Sequence, residues 1–406
     1  MTPVTVIGLG VGSSGLDEGA AAVLAGAGLL VGGARQLAAF PDHPAERLVI
    51  AAPLGRTLDA LAAAVALGRR VVVLADGDPL FFGIGRALLE RLGPEALTFY
   101  PAVTAVAAAA ARMRRSWQDW PVVSLHGRSD VTPLFAALGR HGQAAVLTDA
   151  VRTPAALAAA LLDRAGDRFG MTVLEDLGLP GERMRRFGPQ EAVGLSFSPL
   201  NVVFFEAERP PEVPLALGLP DDALLRPDGV FTKLPVRALA LAALAPRPGD
   251  VLYDVGAGVG TVAVEASLLN SGGPVFAVER DAVRHARLVD NIRRTGALTV
   301  TPVLGEAPEV LAGLPDPDRV FVGGGLSGRP ELLDGLARRL RPGGRLVVAA
   351  VLLGSIERAR RTLTRPGLAL SLTQIQASQA VPLAGDLHFR AENPVCLLSA
   401  TKEALS

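Results

Sequence analysis

The stretch from Asp250 to Asp281, DVLYDVGAGVGTVAVEASLLNSGGPVFAVERD, constrains the fold more than any other part of the chain. An apolar run, Val251 to Tyr253, ends at Asp254 and opens into Gly256-Ala257-Gly258-Val259-Gly260. A helical segment follows, and a second apolar run, Val275 to Val278, stops on Glu279. Strand, glycine turn, helix, strand and acidic tip make up the first unit of a nucleotide-binding α/β sheet. Glycines let the backbone come close to a ligand, and a carboxylate about 20 residues further on can accept hydrogen bonds from ribose hydroxyls. A GxGxG loop alone is also an ordinary tight turn. With the terminal acid, the expected ligand carries an adenosine group.

A length of 406 residues predicts two to three domains, each able to bury its own core. Forty basic and forty acidic residues cancel, so the basic footprint that a phosphate backbone selects is missing. Neither nucleic acid nor membrane is an expected partner. The single cysteine, Cys396, leaves no intrachain disulfide and no cysteine-cluster metal site, and it reads as a small buried hydrophobe. No apolar stretch reaches about 18 residues. The chain opens on a strand pattern at Val4, Val6 and Ile7 rather than on a signal peptide. A cytoplasmic protein without a metal is expected.

The first strand, Val4 to Ile7, runs into a second glycine loop, Gly8-Leu9-Gly10-Val11-Gly12. The next apolar run, Gly28 to Val31, ends on Gly32-Gly33 with no acid for a ribose, which argues against a simple Rossmann unit. Arg70 to Leu74 ends in Asp76-Gly77-Asp78-Pro79, and Thr98 to Thr104 precedes an alanine-rich helix, Ala105 to Met113. These strand ends predict one rim of a site. Further strands are expected at Val122–Leu125 (before His126-Gly127-Arg128), Ala145–Thr148, Met171–Leu174 and Asn201–Phe205. Helix Pro154–Leu162 should start from a Thr153 cap with proline at its first position. This gives two α/β lobes, about 1–115 and 120–208, joined near Ser116 to Asp119. The proline-rich stretch after Glu206 reads as a linker, 209–221, ahead of a domain at 222–406.

That second domain should carry helices Pro235–Leu244, Ala282–Thr295 and Glu331–Leu340. Its strands are expected at Val300–Val303, Arg319–Val322 (running into Gly323-Gly324-Gly325) and Arg345–Ala350. Leu370–Ala377 and Val395–Ala400 lack a crossover helix between them and should be antiparallel neighbours. The fold class is α/β. Five parallel strands closed by an antiparallel pair are similar to the seven-stranded, Rossmann-like sheet of S-adenosylmethionine-dependent methyltransferases.

Residues 1–206 resemble the tetrapyrrole methylases, two-lobed methyltransferases of the cobalamin and sirohaem routes. The matching residues are Gly8 to Gly12, Asp76 to Gly83, Arg112 to Asp119, Ser124 to Arg128, Glu175 to Gly178 and Glu182-Arg183. The C-terminal half resembles the decarboxylating methyltransferases of precorrin-6 metabolism through Phe231-Thr232-Lys233, Asp254 to Gly260, Glu279-Arg280, Gly305 to Glu309 and Val320 to Gly325. Two departures stand out in the N-terminal half. Val11 replaces a common proline, and Pro101-Ala102-Val103-Thr104-Ala105 replaces a Pro-Gly-Ile-Ser-Ser type of turn.

The resemblance implies one S-adenosylmethionine per half and a tetrapyrrole substrate, reduced precorrin-6 (precorrin-6B). It implies methylation of C5 by the N-terminal half, and of C15 with decarboxylation of the ring C acetate by the C-terminal half, giving precorrin-8. A homo-oligomer is expected, of a size the sequence does not give. The implied cofactor residues are Thr232, Gly256, Ala257, Gly258, Val259, Gly260, Glu279 and Ala307 in one half. In the other they are Asp76, Gly77, Asp78, Thr104 and Ala105. Thr232 could instead cap a helix, and Asp78 could simply form a turn. Methyl transfer to an enamine-like carbon needs no catalytic triad, and none is visible. The catalytic candidates are His126 at a strand end and Asp386 and His388 in a segment read as a loop able to fold over the cofactor and deliver a proton. Two arginine groups, Arg112, Arg114 and Arg115 and then Arg183, Arg185 and Arg186, could hold substrate carboxylates or form solvated faces. The rival reading is a nucleic-acid or other small-molecule methyltransferase with a non-catalytic N-terminal domain. Gly323-Gly324-Gly325, where base methylases carry Asn/Asp-Pro-Pro-Tyr, and the two tyrosines of the chain argue against base recognition.

Overall fold

Three large sheets and a two-stranded ribbon make up the strands of the described residues, in a computed structural model that describes residues 4–12, 16–128, 130–226, 231–324, 329 and 331–404. The first contains β1 (Val4–Gly8), β2 (Leu29–Gly32), β3 (Glu46–Val49), β4 (Val71–Ala75) and β5 (Leu97–Tyr100), all parallel in the order β3-β2-β4-β1-β5. Strands β1, β2 and β4 are buried throughout, as near-continuous apolar runs in parallel sheets should be. Helix Ala105–Met113 follows β5 over the predicted residues, and the Thr104 hydroxyl accepts from the Ala107 amide at 3.0 Å.

The second sheet holds β6 (Val122–Ser124), β7 (Gln143–Leu147), β8 (Phe169–Glu175), β9 (Arg183–Phe187) and β10 (Asn201–Ala207), ordered β6-β7-β10-β8-β9. The two lobes meet where Gly12 abuts Gly178: a Cβ built on Gly12 would lie 2.3 Å from the Gly178 carbonyl oxygen. Both glycines have positive φ, 73° each.

Residues 208–226 contain no helix or strand. Their later part is packed rather than free: Leu219 and Leu224 are buried with Leu241, Leu252 and Val262 in the C-terminal core. The amides of Gly218 and Leu219 donate to the Glu265 carboxylate, both at 3.0 Å. The side-chain amide of Asn291 both accepts from and donates to the backbone of Leu225. The end of the proline-rich stretch, 227–228, lies outside the described residues.

The third sheet contains β11 (Leu252–Val255), β12 (Val275–Glu279), β13 (Val300–Leu304), β14 (Arg319–Val322), β15 (Arg345–Ala350), β16 (Leu368–Ile375) and, after a hairpin, β19 (Val395–Lys402). Its order is β13-β12-β11-β14-β15-β19-β16, with β19 antiparallel to both neighbours, as expected from the missing crossover helix. Chain order reverses at β11, which lies between β12 and β14, and a crevice opens there at the carboxyl ends. Helix Ala282–Thr295 is capped by Asp281, ends at left-handed Gly296 and carries Arg293 and Arg294 in its last turn, where the helix dipole favours cations.

Residues 385–390 are not a loop. They belong to a hairpin of β17 (Ser378–Leu383) and β18 (Asp386–Ala391), joined at Ala384-Gly385, both with positive φ as a tight two-residue turn requires. Strands β3 and β9 and helix Leu353–Leu363 are further elements that the sequence reading did not delimit.

The two halves pack through helix Pro154–Ala165. Arg164 donates to the Leu298 carbonyl and the Thr301 hydroxyl, both at 2.8 Å, and Arg168 to the Arg293 carbonyl at 3.5 Å. Leu298 is buried in the core of the second lobe. Burial holds the guanidinium pKa of Arg164 below its usual range.

Candidate active site

The glycine loop after β11 forms one wall of a cavity of about 470 Å³, within the range of small-molecule sites. Gly256, Ala257 and Gly258 line it, as do Glu279 from the end of β12 and Ala307 beyond β13. The Glu279 carboxylate is buried, and its oxygens accept from the amides of Gly258 and Asp281, each at 2.8 Å. An ionised carboxylate has about four acceptor sites, so capacity remains for a ligand hydroxyl on each oxygen.

Val259 and Gly260 do not line the cavity. Val259 is buried in the core, and its carbonyl accepts from Asn291 at 2.9 Å. Gly260 begins helix Thr261–Leu269 with φ of 87°, and a Cβ there would lie 2.4 Å from Leu288 Cδ1. Its absent side chain lets this helix approach Ala282–Thr295. Behind the loop, Asp254 is buried, with Oδ2 accepting from the Ala263 amide at 3.0 Å and no hydrogen-bond partner for Oδ1. Burial, aided by the Glu279 charge, pushes its pKa up to about 7 against the pull of that amide.

The rest of the lining comes from distant segments. Phe231, Thr232, Lys233, Pro235 and Val236 face it from the start of helix Leu234–Leu244, and Ala377, Gln379, Glu392 and Asn393 from the root of the hairpin. Lys233 and Glu392 form an ion pair. Thr232 does not cap the helix, because Lys233 occupies the cap position. The Thr232 carbonyl is held at 2.9 Å by Arg237, a fully buried guanidinium bound also to Glu265 at 2.6 Å and Asp221 at 3.2 Å. At the mouth, Glu306 bridges Arg280 at 2.9 Å and Arg329 at 2.7 Å. No local sequence signal marks Lys233, Glu392 or Arg329 as neighbours, since the sheet topology brings them together.

In the N-terminal half the predicted residues converge at the ends of β1, β4 and β5. Gly77 donates to the Gly10 carbonyl at 3.1 Å, and Thr104 and Ala105 lie within 4 Å of a Cβ built on Gly77. Asp76 pairs with Arg35 at 2.6 Å, and Asp78 accepts from the Leu80 amide at 2.8 Å, a turn-forming contact.

The remaining candidates stand apart. His126 is exposed at the end of β6, and Asp386 and His388 are exposed on β18, off the cavity wall. Arg112 pairs with Glu182 and Arg115 with Glu206, while Arg114 is the left-handed cap of its helix. Arg183 and Arg185 hold the buried Glu175, and Arg186 pairs with Glu208. Of Gly323-Gly324-Gly325, the first two line the cavity and the third lies outside the described residues. Among the described residues no helix is long and apolar enough to cross a membrane, and no group of three or more His, Cys, Asp or Glu could hold a metal ion.

Comparison with known proteins supports both halves of the motif reading. A family model for tetrapyrrole (corrin/porphyrin) methylases matches residues 3–192, and one for a precorrin methyltransferase domain matches 223–402. The chain is 36% identical over 407 residues to a precorrin-6Y C(5,15)-methyltransferase [decarboxylating] of Sinorhizobium sp, covering 98% of this chain and 96% of that protein. It is 36% identical over 408 residues to the Mycobacterium tuberculosis protein of the same name, covering 98% and 100%. A Salmonella typhimurium cobalt-precorrin-6B C(15)-methyltransferase (decarboxylating) is 35% identical over 185 residues, covering 45% of this chain and 95% of that protein. With a third of its residues shared along almost the whole of two such proteins, the chain belongs to the precorrin-6Y C(5,15)-methyltransferase (decarboxylating) family.

Proposed function

We propose that this chain is a two-site, S-adenosylmethionine-dependent methyltransferase that converts reduced precorrin-6 to precorrin-8. The N-terminal half methylates C5. The C-terminal half methylates C15 and removes carbon dioxide from the ring C acetate. The observation that carries this reading is 36% identity over 98% of the chain to relatives named for both methylations, beside a relative that matches 45% of the chain and is named for the C15 step and decarboxylation alone. We read the protein as cytoplasmic and self-associating, the latter because Leu387 and Phe389 stand exposed on the hairpin.

The C-terminal cavity fits the cofactor. It has a volume of about 470 Å³, a glycine backbone on one wall and a buried carboxylate with spare acceptor sites at a strand end. Glu279 holds the ribose hydroxyls, and Gly256 to Gly258, Thr232 and Ala307 pack around the remainder. In the N-terminal half the same task falls to Gly77, Asp76, Asp78, Thr104 and Ala105, without an acid at the end of β2. When bound, S-adenosylmethionine supplies an electrophilic methyl group on a sulfonium. The chain's contribution is to align an enamine-like ring carbon with it and exclude water.

Mass spectrometry of reduced precorrin-6 incubated with the full chain tests this reading. Two methyl gains and one loss of carbon dioxide are expected. Glu279→Ala should retain the C5 methyl and lose C15 methylation, and Asp78→Ala should slow the C5 step. Survival of both methylations in both variants would sink the two-site reading.

A further inference from the structure

Of the forty Lys and Arg side chains, two are lysines: Lys233 and Lys402. Each stands where the usual cation of this sequence was not used, and for Lys402 the geometry supplies the reason. Its Nζ donates to the carbonyls of Ala337 at 3.4 Å, Arg338 at 2.9 Å and Leu340 at 2.6 Å, at the end of helix Glu331–Arg339. An ammonium can direct its three donors at three converging acceptors, whereas the donors of a guanidinium lie in one plane.

Lys233 has a different setting. It faces the cavity and pairs with Glu392. Pairing with a carboxylate is a task arginine performs at least as well, through two parallel hydrogen bonds. Ion pairing alone therefore does not account for a lysine here. What a lysine offers and an arginine does not is a nitrogen that can release its proton.

The location suits that property. Lys233 and Glu392 line the same cavity as the glycine loop, on the part formed by residues 231–236 and the hairpin root. The Lys233 backbone is fixed on both sides: Arg237 holds the Thr232 carbonyl, and Asp221 accepts from the Leu234 amide at 3.0 Å. The flexible four-carbon stem projects from this rigid base.

We propose that Lys233 donates the proton to the carbon that loses carbon dioxide, with Glu392 keeping the ammonium oriented between turnovers. This rests on the decarboxylating reading given above. The bond between the acetate methylene and its carboxylate breaks, carbon dioxide leaves, and the electron pair passes into the conjugated macrocycle, leaving an exocyclic methylene. That carbon takes a proton from Nζ as the electron pair returns to form the C–H bond, giving a methyl group. The neutral amine regains a proton from water, so one proton is consumed for each carbon dioxide released.

The test uses the full chain, S-adenosylmethionine and reduced precorrin-6 in single turnover, with methyl gain and carbon dioxide loss read separately by mass spectrometry. A wild-type chain that performs neither step overturns the functional reading, and this proposal falls with it. Given an active wild type, Lys233→Arg should bind S-adenosylmethionine normally by calorimetry and complete decarboxylation about 10²- to 10⁴-fold more slowly, the range of a lost general acid. Lys233→Ala should behave alike and recover with added methylamine in proportion to its concentration. Wild-type decarboxylation by Lys233→Arg would overturn the proposal. So would a loss of cofactor affinity that matches the loss of rate, which would make Lys233 a cofactor anchor. A Lys233→Ala protein that binds the cofactor normally but gains nothing from the amine would exclude proton transfer.

Discussion

Asp254 and Glu279 sit at adjoining strand ends with unlike hydrogen-bond settings. Glu279 receives two amides, whereas Asp254 has one amide and a buried oxygen without a partner. The Asp254 pKa rises from 3.8 to about 7, so the folded chain holds a proton that the unfolded chain has released. Stability is therefore greatest below about pH 4 as far as this group is concerned, and falls as pH rises to about 7. Asp254→Asn keeps an acceptor for the Ala263 amide and removes the titration. Denaturant unfolding at a series of pH values should show wild type losing about 4 kcal/mol relative to the variant across that window. Equal slopes in the two proteins would contradict a protonated Asp254. Glu279→Gln leaves one backbone amide facing an NH₂ group and should weaken S-adenosylmethionine binding by about 10- to 100-fold, the value of hydrogen bonds to a charged group. Calorimetry measures this directly, and C5 methylation provides an internal control.

At the scale of elements, legibility followed burial. Helices Ala105–Met113 and Ala282–Thr295 and strands β14 and β15 fall on the residues predicted for them, because each combines a buried face with a clear start or stop. Strand β9, RMRRF, reads as a charge run because it is a sheet edge whose arginines cover Glu175 and Glu208. The hairpin lacks a buried face altogether, so alternation had nothing to report, and Leu387 and Phe389 are 65% and 77% exposed. For the same reason half of the cavity was illegible: the glycine loop and Glu279 form a local pattern, but Glu392 reaches Lys233 only through the return of β19. An isolated two-stranded ribbon is marginal in water. Hydrogen exchange in the free chain should accordingly be fastest at residues 384–388 and slow in β19. Protection of that turn equal to that of the central strands would show that something covers it.

For the whole molecule, the strap before the C-terminal sheet decides where that half can be separated. Leu219 is buried against its core, and the amides of Gly218 and Leu219 supply acceptor-filling contacts to Glu265. A fragment starting near Asp222 should fold and bind S-adenosylmethionine. One starting at Arg209 should be more stable by about 3 kcal/mol, from a buried leucine together with its hydrogen bonds. Comparing denaturation midpoints of the two fragments checks this, and coincident midpoints would mean that the strap contributes nothing. The docking of Arg164, near the end of helix Pro154–Ala165, and of Arg168, just beyond it, on residues 293–301 was invisible in sequence, since no local pattern links segments more than 120 residues apart.

The meeting of Gly12 and Gly178 has a consequence for mutational tolerance. Backbone opposes backbone there, so neither lobe presents a side chain that could shrink to accommodate a larger residue on the other. In a deep mutational scan the two positions should be intolerant singly, and no second substitution at the facing position should restore function. Most packed contacts can be renegotiated through compensating changes in volume. This one has no volume to trade, and sequences crossing it would have to move the lobes themselves.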